Sequence, residues 1–66
     1  MNILINGESR TISAAASVGD YLEQQGYDLK IVAVARNGEF LPRRQFREVP
    51  IEEDDELEIV APMQGG

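Results

Sequence analysis

The apolar positions of Met1-Asn2-Ile3-Leu4-Ile5-Asn6 alternate, and a period of two places Met1, Ile3 and Ile5 on one face of a strand. Asn6-Gly7 is a reversal signal, because both residue types tolerate the positive φ that a tight hairpin turn demands. Arg10 to Ser13 reads as the returning antiparallel strand, with Ile12 toward the core. The period then changes. Ser17 suits a helix N-cap, Asp20 three residues on gives a weak capping box, and Val18, Tyr21, Leu22 and Gln25 fall at helical spacing. Gly26 is placed to close the helix in the left-handed conformation. Gly19 weakens the first turn by roughly 1 kcal/mol relative to Ala.

Ile31 to Ala35 is a β-rich apolar run. Asn37-Gly38 and Glu39-Phe40-Leu41 complete a second hairpin, which Pro42 ends because it has no amide proton to pair. Arg43 to Pro50 lacks periodicity and leaves room for a turn of 3₁₀ helix. Glu52-Glu53-Asp54-Asp55 reads as a charged, solvated turn, and Glu56 to Ala61 alternates again with Leu57, Ile59 and Ala61 inward. The predicted order is β-β-α-β-β-β. With the last strand beside the first, a mixed sheet of four to five strands packs on one helix, an α+β fold of the β-grasp (ubiquitin-like) kind. Residues 1–61 form that domain and residues 62–66 a flexible C-terminal tail.

Composition narrows what such a domain can do. At 66 residues it buries only about 60% of the surface of its unfolded chain, too little for a cleft with its own supporting shell. A carrier, an inhibitor or a subunit fits better than a self-sufficient enzyme. The chain has no Cys and no His, which excludes a disulfide, a thiolate metal site, and any Ser-His or Cys-His pair. A net charge of −6 argues against nucleic acid, whose phosphates need Lys and Arg. No apolar run approaches the roughly 20 residues of a membrane span, so a cytoplasmic protein, monomeric when free, is expected.

The chemistry that remains sits at the end of the chain. Pro62 stops strand pairing, and Gly65-Gly66 carry no side chains, so the backbone can thread a narrow channel with Gln64 and Met63 behind it. The α-carboxylate of Gly66 is the group placed for delivery to another protein. It becomes an acyl donor only once adenylated by ATP, after which a sulfur nucleophile could displace AMP and leave a thiocarboxylate. With neither Cys nor His, this chain brings no catalytic groups to that step, and the catalysis and the ATP belong to a partner. A frayed end is the plainer alternative for such a tail.

Over its whole length the sequence resembles the ThiS family, the sulfur carriers of thiamine biosynthesis. The resemblance rests on the strand closed by Asn6-Gly7, on Ser17-Val18 and Leu22, and on Val32-Ala33-Val34-Ala35-Arg36-Asn37-Gly38 running on to Pro42-Arg43. Asp55-Glu56-Leu57-Glu58-Ile59-Val60 and the terminal Gly65-Gly66 complete it. It implies that Gly66 is adenylated by a ThiF-type (E1-like) adenylyltransferase, converted to a thiocarboxylate, and used by a ThiG-type thiazole synthase. It implies no bound cofactor; no metal is expected either, because the consecutive carboxylates of Glu52 to Glu56 lack the alternating ligands and the turn glycine of a calcium loop. Two positions depart from the family pattern: Asp54 stands where Gly is frequent, and Phe46 where the aromatic is often Trp. The small subunit of molybdopterin synthase and a ubiquitin-like modifier share the fold and the Gly-Gly end, and an interaction module with an inert tail is a further alternative.

Strand alternation also predicts a docking surface. If Leu57 and Ile59 face the helix, then Leu4, Glu58 and Val60 face the open side of the sheet, and with Ala33 and Ala35 they would form a partner-binding patch near the tail. Arg36, Arg43, Arg44 and Arg47 concentrate positive charge in an acidic chain, and pairing with the chain's own carboxylates is the simpler account of them.

Overall fold

The computed structural model describes residues 1–12 and 16–62. Strands β1 (Asn2–Ile5) and β2 (Glu8–Thr11) are followed by helix α1 (Val18–Gln24), then β3 (Ala33–Arg36), β4 (Glu39–Leu41), a 3₁₀ turn at Arg43–Gln45, and β5 (Glu56–Val60). One mixed sheet contains all five strands in the order β2-β1-β5-β3-β4. The last strand therefore lies in its centre, parallel to β1 and antiparallel to β3.

Both hairpins turn on Asn-Gly. Asn6 and Gly7 have φ of 50° and 84°, and Asn37 and Gly38 have 52° and 85°, the paired left-handed geometry whose twist matches the flanking strands. A two-residue turn pairs Ile5 directly with Glu8, so β2 starts two residues earlier than the expected Arg10 and ends at Thr11. Ser13 lies outside the described residues. The same tight geometry pairs Arg36 with Glu39 and draws Arg36 into β3, whereas Ile31 and Val32 precede that strand. At the other end β5 stops at Val60, and Ala61, expected inward, is exposed.

Ser17 caps α1 as its sequence position suggests, its hydroxyl accepting from the Asp20 amide at 3.0 Å. Val18, Tyr21 and Leu22 are buried, while Gln25 is the exposed C-cap and Gly26 follows at φ 88°. These helix residues meet Ile3, Ile5, Val34, Leu57 and Ile59 from one face of the sheet in a single apolar core. The aperiodic stretch after β4 closes that core. Phe46 and Ile51 are almost completely buried, and the chain between them pairs with the helix entry through Val18 N–H to Val49 O and Ile51 N–H to Ala16 O. Among the described residues no helix is long and apolar enough to cross a membrane.

Gly19 has a packing reason that propensity alone conceals. Its amide donates to the Phe46 carbonyl at 2.7 Å, bringing the two backbones together. A Cβ at this position would lie 2.9 Å from Arg47 Cγ and 3.3 Å from the Phe46 carbonyl carbon. The helix gives up about 1 kcal/mol of propensity for that approach. Gly19→Val is therefore expected to destabilise the domain by about 1–3 kcal/mol, the usual range for overpacking. Urea unfolding checks it, and an unchanged midpoint would remove the close approach as the reason for glycine.

Candidate functional site

The candidate site is the end of β5 together with the surface around it. On one side the strand pairs with β1 only at Leu4–Glu56 and Ile5–Leu57. On the other it pairs with β3 along its length, from Arg36–Leu57 to Ala33–Val60. Val60 is the last strand residue, and exposed Ala61 and Pro62 follow it. Met63, Gln64, Gly65 and Gly66 lie outside the described residues.

Alternation along β5 sends Leu57 and Ile59 into the core and Glu56, Glu58 and Val60 to the open face. There Val60 is 68% exposed and Phe40 71% exposed, large values for apolar side chains. With Ala33, Ala35 and Glu58 they line a shallow depression of about 160 Å³ beside the exit of the chain. Cross-strand pairing explains the grouping: Ala33 sits opposite Val60, and Ala35 lies between Glu58 on one side and Phe40 on the other.

Leu4 faces the same side of the sheet but not the same patch. It pairs with Glu56, four residues and about 13 Å of strand before Val60. There it lines a separate depression with Asn2, Ser9 and Asp54. The expected single surface of Leu4, Val60 and the alanines is thus two, with Glu56 and Glu58 on the strand between them. Phe40 is the member that the sequence reading passed over. Its signal was present: Leu41 must point inward just before Pro42, which turns Phe40 outward.

The start of β5 is held by a polar cluster that replaces the expected solvated turn. Asp55 is only 5% exposed. Its carboxylate accepts from Arg36 Nε at 3.0 Å, Asn37 Nδ2 at 3.0 Å and the Glu52 amide at 2.8 Å. Its carbonyl accepts from the Leu4 amide at 2.9 Å, tying the cluster to β1. Burial alone would push the Asp55 carboxyl up. The Glu52 amide, the Asn37 side chain and the Arg36 guanidinium together outweigh burial and hold it below the usual carboxylate range. The hydrogen bond to Asp55 in turn raises Arg36 above its ordinary value. Asp54, where the resembled family often has Gly, adopts φ 67°, a conformation glycine takes without strain.

The other arginines serve the fold in much the same way. Arg47 pairs with Asp20 at 2.9 Å and Glu23 at 2.7 Å, and Arg43 Nε donates to the Leu29 carbonyl at 2.7 Å. The basic cluster is largely spent on the chain's own acceptors.

Comparison with known proteins adds the decisive observation. The model of the ThiS family matches residues 3–66, nearly the whole chain. The chain belongs to the ThiS family. A curated relative of that name, the sulfur carrier protein ThiS of Thermus thermophilus, is 36% identical over 64 residues, covering 97% of this chain and 98% of the relative. A second relative, the thiazole synthase of Paramagnetospirillum magneticum, is 42% identical over 66 residues. That match covers all of this chain but only 20% of the synthase.

Two solved structures of a thiamine biosynthesis protein from Geobacter metallireducens share the fold at 29% identity. The crystal structure of that ThiS superposes with a TM-score of 0.82 and full coverage of both chains. The solution structure gives 0.84, covering 100% of this chain and 88% of the other. ThiS proteins are sulfur carriers of thiamine biosynthesis and not catalysts, which decides between the thiamine and molybdopterin destinations for this Gly-Gly chain.

The Asp55 cluster carries a pH signature. Its folded-state value lies below the unfolded one, so its contribution is complete above the unfolded carboxyl's value of about 3.9 and is lost as the pH falls through the lower folded value. Asp55→Asn is expected to cost about 1.5–3 kcal/mol near neutrality, the range for hydrogen bonds to a charged group. That gap should narrow as urea unfolding is repeated at progressively lower pH, through and below about 3.9. A gap constant with pH would show that the carboxylate is not held ionised by its partners.

Proposed function

We propose that the α-carboxylate of Gly66 is the sulfur-carrying group and that residues 62–66 form the tail that presents it. The observation that carries this reading is that the family match runs through Gly65-Gly66 to the last residue. The central position of β5 supports it, because a strand held on both sides gives the tail a fixed origin.

The carboxylate attacks the α-phosphorus of ATP, releasing pyrophosphate and leaving an acyl-adenylate. A sulfur nucleophile at the oxidation level of sulfide then displaces AMP, and the product is a thiocarboxylate. Metal, nucleophile and oxyanion donors come from a ThiF-type adenylyltransferase, since the chain contains neither Cys nor His. The loaded tail then delivers its sulfur to a ThiG-type thiazole synthase. Support for that second partner is that a segment 42% identical to this chain makes up a fifth of a protein named thiazole synthase, so carrier and synthase sequence occur in one polypeptide there.

The apolar depression of Val60, Phe40, Ala33 and Ala35, with Glu58 among them, is the surface on which the adenylyltransferase docks in this reading. It adjoins the origin of the tail, and the acidic residues of β5 favour a partner with basic groups around its own apolar contact. Leu4 lies at the opposite end of the strand and takes no part in that docking.

ATP–pyrophosphate exchange by a ThiF-type enzyme tests both parts. Wild-type chain should support exchange, and deletion of Gly66 should abolish it. Val60→Asp should lower it by about tenfold, equivalent to ~1.4 kcal/mol of docking energy, with the circular dichroism spectrum unchanged. Exchange that survives the deletion would refute Gly66 as the acceptor. Full exchange with Val60→Asp would remove the depression from the mechanism.

A further inference from the structure

Strand β1 is too short to cover the end of β5. It ends at Ile5, and Asn6 takes a φ of 50° that leads into the turn. In a continuing parallel ladder, the backbone carbonyl of residue 6 would accept from the Ile59 amide and the backbone amide of residue 8 would donate to the Ile59 carbonyl. The Asn6 side chain does so instead. Its Oδ1 accepts from the Ile59 amide at 2.7 Å, and its Nδ2 donates to the Ile59 carbonyl at 3.2 Å. The Asn6 backbone amide meanwhile donates to the Leu57 carbonyl at 2.9 Å. A carboxamide presents the same acceptor and donor as a peptide group, so it extends the pairing beyond the last residue of β1.

We propose that Asn6 is a positioning residue for sulfur loading: its carboxamide clamps the C-terminal end of β5 and thereby fixes where the tail leaves the sheet. The proposal rests on Gly66 as the loading site. Val60, next in sequence to the clamped Ile59, is both the last strand residue and the rim of the docking depression. Without Asn6, the Ile59 amide and carbonyl lose their partner on the β1 side, and only the β3 pairing through Ala33 and Val60 holds the strand end. The tail would then start from a fraying strand, and ordering that strand would be charged against each encounter with the activating enzyme.

Asn37 provides the internal comparison. It also follows a strand into an Asn-Gly turn, and its side chain also grips β5, accepting from the Glu56 amide at 2.9 Å. That grip is at the opposite end of the strand, beside Asp55. Two like residues thus hold the two ends of the same strand, and the proposal assigns tail presentation to one of them.

The test compares Asn6→Gly with Asn37→Gly, since glycine accepts the left-handed turn in both places. Residue-resolved hydrogen exchange on the full chain should show the Ile59 amide exchanging about tenfold faster in Asn6→Gly and not in Asn37→Gly, as loss of one net hydrogen bond implies. In pyrophosphate exchange, Asn6→Gly should raise KM for the carrier severalfold at an unchanged kcat, while Asn37→Gly leaves both unchanged. Small losses of global stability cannot mimic the KM rise, because the folded population stays near unity, and in hydrogen exchange they would speed the core amides together rather than Ile59 selectively. If the Asn6→Gly chain is poorly folded, Asn6→Asp keeps the turn and the acceptor for the Ile59 amide but sets a carboxylate oxygen against the Ile59 carbonyl, so KM should rise severalfold while the Ile59 amide stays protected. Unchanged Ile59 exchange in Asn6→Gly, an unchanged KM in either Asn6 variant, or equal KM changes in both glycine variants would overturn the proposal. If wild type itself failed to be adenylated, the function would fall separately, and the Ile59 exchange would still decide the clamp.

Discussion

Everything in this domain is arranged around a last strand that must lie in the middle of the sheet. An edge strand could be completed on one side and leave the other open, but β5 needs acceptors and donors on both sides before it is stable. The parallel partner comes from the first segment of the chain and the antiparallel one from the third strand, so the two hairpins join into one sheet only through the C-terminal segment between them. Long-range closure of this kind ties the two ends of the sequence together, and it gives a chain of only 66 residues one cooperative core.

Polar side chains complete what the short strands cannot. Asp55 gathers Arg36, Asn37 and the Glu52 amide at the start of β5, and Asn6 stands in for a missing peptide at its end. Both asparagines are turn residues selected first for a positive φ, and each uses its amide a second time on the central strand. The economy suits a small domain, in which each buried polar group must be matched to a partner because so little core is available to offset an unmatched one.

Much of this was legible in the sequence. Period-two alternation identified Ile3, Ile5, Leu57 and Ile59 as core, and Asn-Gly located both hairpins, because these signals depend only on neighbours in the chain. Ser17 announced the helix for the same reason. What was hidden depended on partners distant in sequence. Asp55 looked like one carboxylate in an acidic run until Arg36 was placed beside it, and Gly19 looked like a weak helix residue until Phe46 was packed over it. Leu4 and Val60 were assigned the correct face but merged into one patch, since alternation gives the face of a residue and only register gives its position along the strand. The residues expected to carry the chemistry, Met63 to Gly66, were read from composition and family resemblance, and the match of the ThiS model through residue 66 is what lends them weight.

Whether sulfur resides at the Gly66 terminus decides the function. Intact and fragment mass spectrometry of the chain, recovered from cells that also make a ThiF-type adenylyltransferase, measures this directly. The expected spectrum shows one oxygen exchanged for one sulfur, confined to the C-terminal fragment that ends in Gly66. Sulfur on any other fragment, or its persistence in a chain ending at Gly65, would contradict the account.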